Sequence, residues 1–239
     1  MSSYKSSAEL KALAKEHMFG HYGAAIGAHL FVILATDFFA LMAPGLFGNL
    51  NTFAGTCIYY IVSFLVSVFT GLFTSGLACF YLKITCGQHV TVYDVFQGFR
   101  SSPEKALTIQ AWISVFAYTV NLPGFLIVSR SASSDTGAYI AFALSMAVSA
   151  VVTLALNLLY GQAFFLLHDF PQYSTRQLLA GSRKLMSGHK AKLFYIYISF
   201  LPLLFLALPS CGIVMLWLMP YMDATLAEFY LDIVKGAKK

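Results

Sequence analysis

Gly181-Ser-Arg-Lys-Leu-Met-Ser-Gly-His-Lys190, entered through Ser174-Thr-Arg-Gln177, is a polar helix start followed by a basic turn that runs directly into the apolar segment opening at Leu193. Ser174 with Gln177 three residues on is a capping signature, in which each side chain can satisfy the other residue's free backbone N–H. The device occurs three times. Ser6-Ser-Ala-Glu9 leads through Met18-Phe-Gly20-His21 into an apolar segment, and Thr91-Val-Tyr-Asp94 leads through Gly98-Phe-Arg100 into another. The first copy aligns with the third as Met18/Met186, Gly20/Gly188 and His21/His189. Working outward from these starts, the chain divides into pseudo-repeats of about 6–82, 91–169 and 174–239 within one polytopic membrane domain, 1–239.

Composition sets the class independently. Hydrophobic residues make up 59% of the 239 and charged residues 10%, with a mean hydropathy of +0.73. A soluble domain holds about 45–50% apolar and about 25% charged residues, so this chain is expected in a bilayer. Its net charge of +5 does not describe a nucleic-acid binder, because the cations fall in loops beside apolar segments of spanning length.

The first 22 residues carry Lys5, Lys11 and Lys15, with Leu10, Leu13 and Met18 spaced as one apolar stripe. We read them as a surface helix before an uncleaved anchor at Gly23–Met42, since the apolar stretch is of spanning length and lacks a small-x-small cleavage site. Span two is expected over Thr56–Leu82. A second surface helix follows, with Val92, Val95, Phe96 and Phe99 on its apolar side and Arg100 and Lys105 toward headgroups. Spans three and four are expected over Leu107–Val128 and Ala138–His168.

The run Leu193–Met222 would reach ~45 Å as a single helix against a hydrocarbon core of ~30 Å, and Pro202, Pro209 and Gly212 interrupt it. Charge decides its reading. Of the 15 Lys and Arg, all but Arg130 fall on one side if the chain crosses six times, which places both termini in the cytoplasm. The expected fold is therefore an all-α membrane protein of six transmembrane helices in three helix-pair units, each preceded by an amphipathic cytoplasmic-surface helix. The alternative is five spans and an interfacial C-terminal helix.

Polar groups at membrane depth are the candidates for function, because a charge there pairs or lines a cavity. His29 and Asp37 are eight residues apart on span one, about 80° around the helix, and could join Asn157, Asp223 and Glu228 in a polar cavity. The plainer reading makes His29 an interhelical contact and Asp37 a residue that caps or snorkels. Asn121 before Pro123, and Asn157 with Gln162, read either as a polar path or as interhelical hydrogen bonds. Lys11, Lys15, Arg100, Arg183, Lys184, His189 and Lys190 form a basic collar suited to anionic lipid headgroups or a protein partner, a second copy of the chain included. His168-Asp169 is expected as a solvated pair. Cys79 and Cys86 fall on the reducing side, while Cys57 and Cys211 both map outside and are expected as free thiols unless those ends touch. Ser67, Gly71 and Ser75 read as a close-packing stripe.

No phosphate loop, zinc spacing or nucleophile elbow is present, so no enzyme, cofactor or metal is expected. Ser7-Ala-Glu-Leu10, Gly20-His-Tyr-Gly23, Ser182, Leu185-Met186, Gly188-His-Lys190, Phe194, Ser199-Phe200, Pro220-Tyr221, Thr225, Ala227 and Phe229-Tyr230 resemble the bacterial integral-membrane family catalogued as domain of unknown function 975. Ala191 departs from it where an aromatic often follows the Lys. The resemblance implies a multi-pass protein of the bacterial plasma membrane and carries no established activity. Transport or export by a non-enzymatic component is the expected role, with a lipid- or partner-binding scaffold as the alternative.

Overall fold

The computed structural model describes residues 4–47, 53–130, 136–210 and 212–237, and every element in them is helical. The chain starts with α1 (Ser7–Met18), in which Ser6 and Glu9 cap each other reciprocally and Leu10, Ala14 and Met18 are fully buried. Then come α2 (Tyr22–Phe47) and α3 (Phe53–Thr85). The second surface segment is a 3-10 turn, Val92–Phe96, continued by the one-turn helix α4 (Gln97–Arg100). Asp94 terminates its start by accepting from the Thr91 N–H at 2.7 Å and hydroxyl at 3.2 Å. Next are α5 (Pro103–Arg130) and α6 (Thr136–Tyr160), then α7 (Ala163–Asp169) beyond a turn at Gly161 and Gln162. The capping pair Ser174 and Gln177 starts α8 (Thr175–Leu185).

Beyond α8 the expected spans are corrected. The fifth span expected at the start of the run Leu193–Met222 is not one helix but α9 (Lys190–Ile198) and α10 (Leu201–Phe205), broken at Ser199 and Phe200 where Pro202 sits in the first turn of the new helix. A turn leads to α11 (Met215–Ala237), which continues through Pro220. Among the described residues three stretches are long and apolar enough to cross a membrane: Tyr22–Phe39, Cys57–Thr85 and Thr136–Asp169. No other helix among the described residues meets both conditions, so the expected six spans are not supported. The 28 residues of α5 have the length but carry Gln110, Asn121 and Pro123, and α11 carries Asp223, Glu228 and Asp232.

Burial is sharply uneven along the long helices. On α3 it is dense from Gly71 to Thr85, whereas Ile58, Ile61, Leu65 and Phe69 in the first half are exposed. On α2, Ala25, Ala28 and His29 are buried and Leu34, Phe38 and Phe39 are not. The core thus lies at the end where the basic surface elements gather, with α11 and α7 inside it. At the other end apolar side chains face outward, as lipid contact requires.

Small residues let the backbones meet in this core. A Cβ on Gly76 of α3 would lie 1.7 Å from the Val95 carbonyl oxygen, and one on Gly98 of α4 would lie 1.9 Å from that of Leu72. The stripe Ser67, Gly71, Ser75 meets other neighbours, α5 and α7. Ser67 Oγ is 2.9 Å from Ser114 Oγ on α5, Gly71 lies against Gln110, and Ser75 Oγ is 3.1 Å from His168 Nε2 on α7.

Candidate functional site

A cavity of about 400 Å³ lies at the centre of the helix assembly. Thr74, Leu77, Ala78 and Tyr81 of α3 line one wall, and Asn157 with Thr153 of α6 and Gln110 of α5 line another. Phe164 and Phe165 of α7, Tyr197 of α9, and Met222, Asp223 and Leu226 of α11 close it. Among these described lining residues Asp223 is the only one with a charged side chain, and it sits among hydroxyls, amides and aromatic rings.

Asp223 is positioned from α2. His29, 7% exposed, places Nε2 3.2 Å from Asp223 Oδ2, and its Nδ1 lies 2.9 Å from the Tyr81 hydroxyl. A carboxylate can only accept, so Nε2 donates to Asp223, and in the neutral ring Nδ1 accepts from the Tyr81 hydroxyl. The chain Tyr81–His29–Asp223 therefore joins α3, α2 and α11 through one imidazole. It leaves the other Asp223 oxygen available to the cavity, and the Asp223 side chain retains 36% exposure.

Of the five residues expected to converge, His29, Asp223 and Asn157 meet here, the first through its bond to the second. Asp37 does not. It lines a separate space of about 350 Å³ with Thr36, Tyr59, Ser63, Ser67, Thr70 and Tyr118, farther along α2 and α3. Glu228 does not either. Its Oε1 is 2.5 Å from His17 Nδ1, which ties α11 to the surface helix α1. Both corrections have a geometric cause: eight residues on α2 are ~12 Å of axial rise, and the five from Asp223 to Glu228 turn α11 by ~140°.

Further polar readings resolve individually. Asn121 donates to Ser149 Oγ of α6 at 2.7 Å and to the Ala117 carbonyl at 3.1 Å, an interhelical contact beside Pro123. Gln162 is 2% exposed, outside the cavity lining. The expected solvated pair His168-Asp169 is corrected: His168 bonds to Ser75, and only Asp169 is exposed, accepting from the Tyr230 hydroxyl at 2.5 Å. Cys57 is a free thiol, and Cys211 lies outside the described residues. No group of three His, Cys, Asp or Glu side chains comes together among the described residues.

Tyr81, Tyr197, Gln110 and Thr153 belong to the cavity and are not apparent from the sequence. Gln110 alone left a signal, as an amide inside an expected span. The two tyrosines and Thr153 read as ordinary members of apolar runs.

Around the collar, Lys83 reaches Asp94 at 2.5 Å and Lys192 reaches Asp232 at 2.7 Å. Lys11 donates to the Ser199 carbonyl at 3.0 Å and lies 3.9 Å from the centre of the Phe200 ring, and this burial lowers its pKa. Lys15, Arg100, Arg183, Lys184 and Lys190 are exposed and have no ion-pair partner among the described residues. His189 sits edge-on against Tyr4, with ring centres 4.7 Å apart.

An all-helical chain with three helices able to cross a membrane, and a largely apolar cavity between its helices that holds one carboxylate, is the class that fold and site define. Residues 1–237 match the family model described as protein of unknown function (DUF975), and the chain belongs to that family. No curated protein and no solved structure matches it.

Proposed function

We propose that this protein is a non-enzymatic, multi-pass membrane component that binds a small cationic solute in the central cavity and passes it across the membrane. One observation carries the reading: a single carboxylate, Asp223, faces a half-open, largely apolar space in which Thr74, Gln110, Thr153 and Asn157 supply neutral polar groups, while a buried imidazole holds it in place. A cation suits such a space because the lining offers one negative charge and neutral acceptors.

The proposed topology retains six passages of unequal kind in a bacterial plasma membrane, with both termini cytoplasmic. The three long apolar stretches cross outright, α5 crosses packed against α3 and α6, and α9 with α10 forms a short arm paired with α11. Charge asymmetry supports this, since Arg130 stands apart from the other cations. The collar of Lys11, Lys15, Arg100, Arg183, Lys184, His189 and Lys190 then meets anionic headgroups.

The test is uptake into proteoliposomes across a panel of small organic amines under an imposed pH gradient. Flux above protein-free vesicles, lost in Asp223→Asn, is expected. Flux that Asp223→Asn leaves unchanged overturns the reading. A scaffold role is favoured instead if the cavity variants are silent while charge reversal at exposed Arg183, Lys184 and Lys190 releases the protein from anionic lipid or from a partner.

A further inference from the structure

A second space, about 620 Å³, lies away from the central cavity in a groove between α5 and α8, with Tyr160 of α6 at its base. Its construction is regular. The α5 wall is Thr108, Ala111, Trp112 and Val115, and the α8 wall is Thr175, Arg176, Leu179, Ala180 and Arg183. Each wall follows the i, i+3, i+4, i+7 spacing of one helix face, so two faces oppose each other across the groove. Between the two arginines the α8 face is Leu179 and Ala180, and the four α5 residues that line the groove opposite carry no charge.

Trp112 is 45% exposed and Val115 48%, so the α5 wall is open to whatever surrounds the helices. Arg176 and Arg183 are exposed and pair with no carboxylate among the described residues. Two uncompensated guanidinium groups over an apolar floor complement a molecule that is anionic at its head and hydrocarbon in its body. Tryptophan beside them has the amphipathic character that favours the level of lipid headgroups.

From this geometry we infer that the α5–α8 groove is a binding site for one anionic phospholipid, with Arg176 and Arg183 on the phosphate and an acyl chain along Trp112, Val115 and Leu179. Arginine suits the head because its planar fork donates two hydrogen bonds to phosphate oxygens. The site is independent of solute passage. It shares no lining residue with the central cavity, so a protein that transports nothing would still hold the lipid.

Trp112 supplies its own probe, because Trp217 is the only other tryptophan. The full chain carrying Trp217→Phe is reconstituted in phosphatidylcholine with rising fractions of acyl-brominated phosphatidylglycerol or acyl-brominated phosphatidylcholine, and Trp112 fluorescence is read. Quenching at lower fractions of the anionic lipid is expected, with about fivefold of that preference lost for each of Arg176→Gln and Arg183→Gln. Arg176→Lys with Arg183→Lys should retain most of it. Inorganic phosphate should leave the quenching unchanged, since it offers nothing to the apolar walls. Equal quenching by the two lipids, an unaltered preference in the double Gln variant, or relief by inorganic phosphate each overturns the assignment. Mass spectrometry of the unsubstituted protein released intact from detergent gives a second reading. A retained anionic phospholipid that disappears in the double Gln variant supports the site, and equal retention overturns it.

Discussion

Gly76 of α3 and Gly98 of α4 lie back to back, so close that a Cβ on Gly98 would come within 2.8 Å of the Gly76 nitrogen. This contact fastens the second surface segment to the long helix beneath it, and backbone atoms on both sides leave no flexible group to move aside. Gly76→Ala and Gly98→Ala should each cost about 3 kcal/mol or more and loosen the segment, because a methyl forced into packed backbone displaces whole elements. Gly23→Ala is the control. Nothing lies within 4 Å of its added methyl, and a helical Ala there should be neutral or slightly stabilising. Thermal unfolding in detergent, with protease sensitivity between Val90 and Arg100, separates the two behaviours.

The Tyr81–His29–Asp223 chain predicts a split between fold and function. Tyr81→Phe removes one buried hydrogen bond and should cost ~1 kcal/mol while leaving the cavity's charge in place. Asp223→Asn keeps shape but removes the charge, and should weaken cation binding about tenfold or more, the value of a hydrogen bond to a charged group. Paired measurements of melting temperature and of amine binding by the purified protein decide it. If Asp223→Asn lowers stability yet leaves binding intact, the carboxylate serves the helix contact alone.

At the collar, pH acts through Asp94. Burial is the largest single influence and pushes its carboxyl up, but the Lys83 ammonium and the Thr91 N–H and hydroxyl together outweigh it and hold the group below the usual carboxylate range. A depressed folded-state pKa means stability that is fully present above the unfolded value near 4 and is lost as pH falls through the folded one. The 3-10 turn should therefore stay fastened at neutral pH and come loose only in acid below about pH 4. Asp94→Asn should remove that acid step and cost ~1–2 kcal/mol at neutral pH, since the half-exposed Lys83 screens part of the pair. Melting temperature followed from pH 7 into acid, in both proteins, shows the difference.

Where the sequence was legible, its signals were local. The reciprocal caps at Ser6 and Ser174 need only three residues each, and both form where the pattern puts them. The stripe Ser67, Gly71, Ser75 was likewise visible, because small residues at every fourth position on an apolar helix have few other uses. What failed was anything needing a third coordinate. An angle of about 80° puts His29 and Asp37 on one side of α2, but ~12 Å of axial rise separates them. Glu228 looked like an intramembrane charge because its partner, His17, lies at the far end of the chain. Pro202, Pro209 and Gly212 mark interruptions after Leu193 but not their place, and the break falls at Ser199 and Phe200, where Phe200 is buried, 1% exposed, against Tyr221 of α11. No window of local sequence contains that contact.

Gly20 and Gly188 test the kinship of the first and third surface helices. Both adopt left-handed backbone, with φ of +83° and +84°, and each follows a fully buried methionine, Met18 or Met186. The following histidines also act alike. The His21 N–H donates to the Met18 carbonyl at 2.9 Å and the His189 N–H to that of Met186 at 3.1 Å, before each chain enters its apolar segment. No atom lies within 4 Å of an added Cβ at either glycine, so Gly20→Ala and Gly188→Ala differ from the parent only by the strain of left-handed alanine, ~1–2 kcal/mol each. Two turns of one design should lose equal stability, and the double variant should lose the sum, because the sites share no contact. Unequal losses in the two single variants, measured by denaturant or thermal unfolding in the same detergent, would show that one turn carries a constraint the other lacks and that their likeness ends at the backbone.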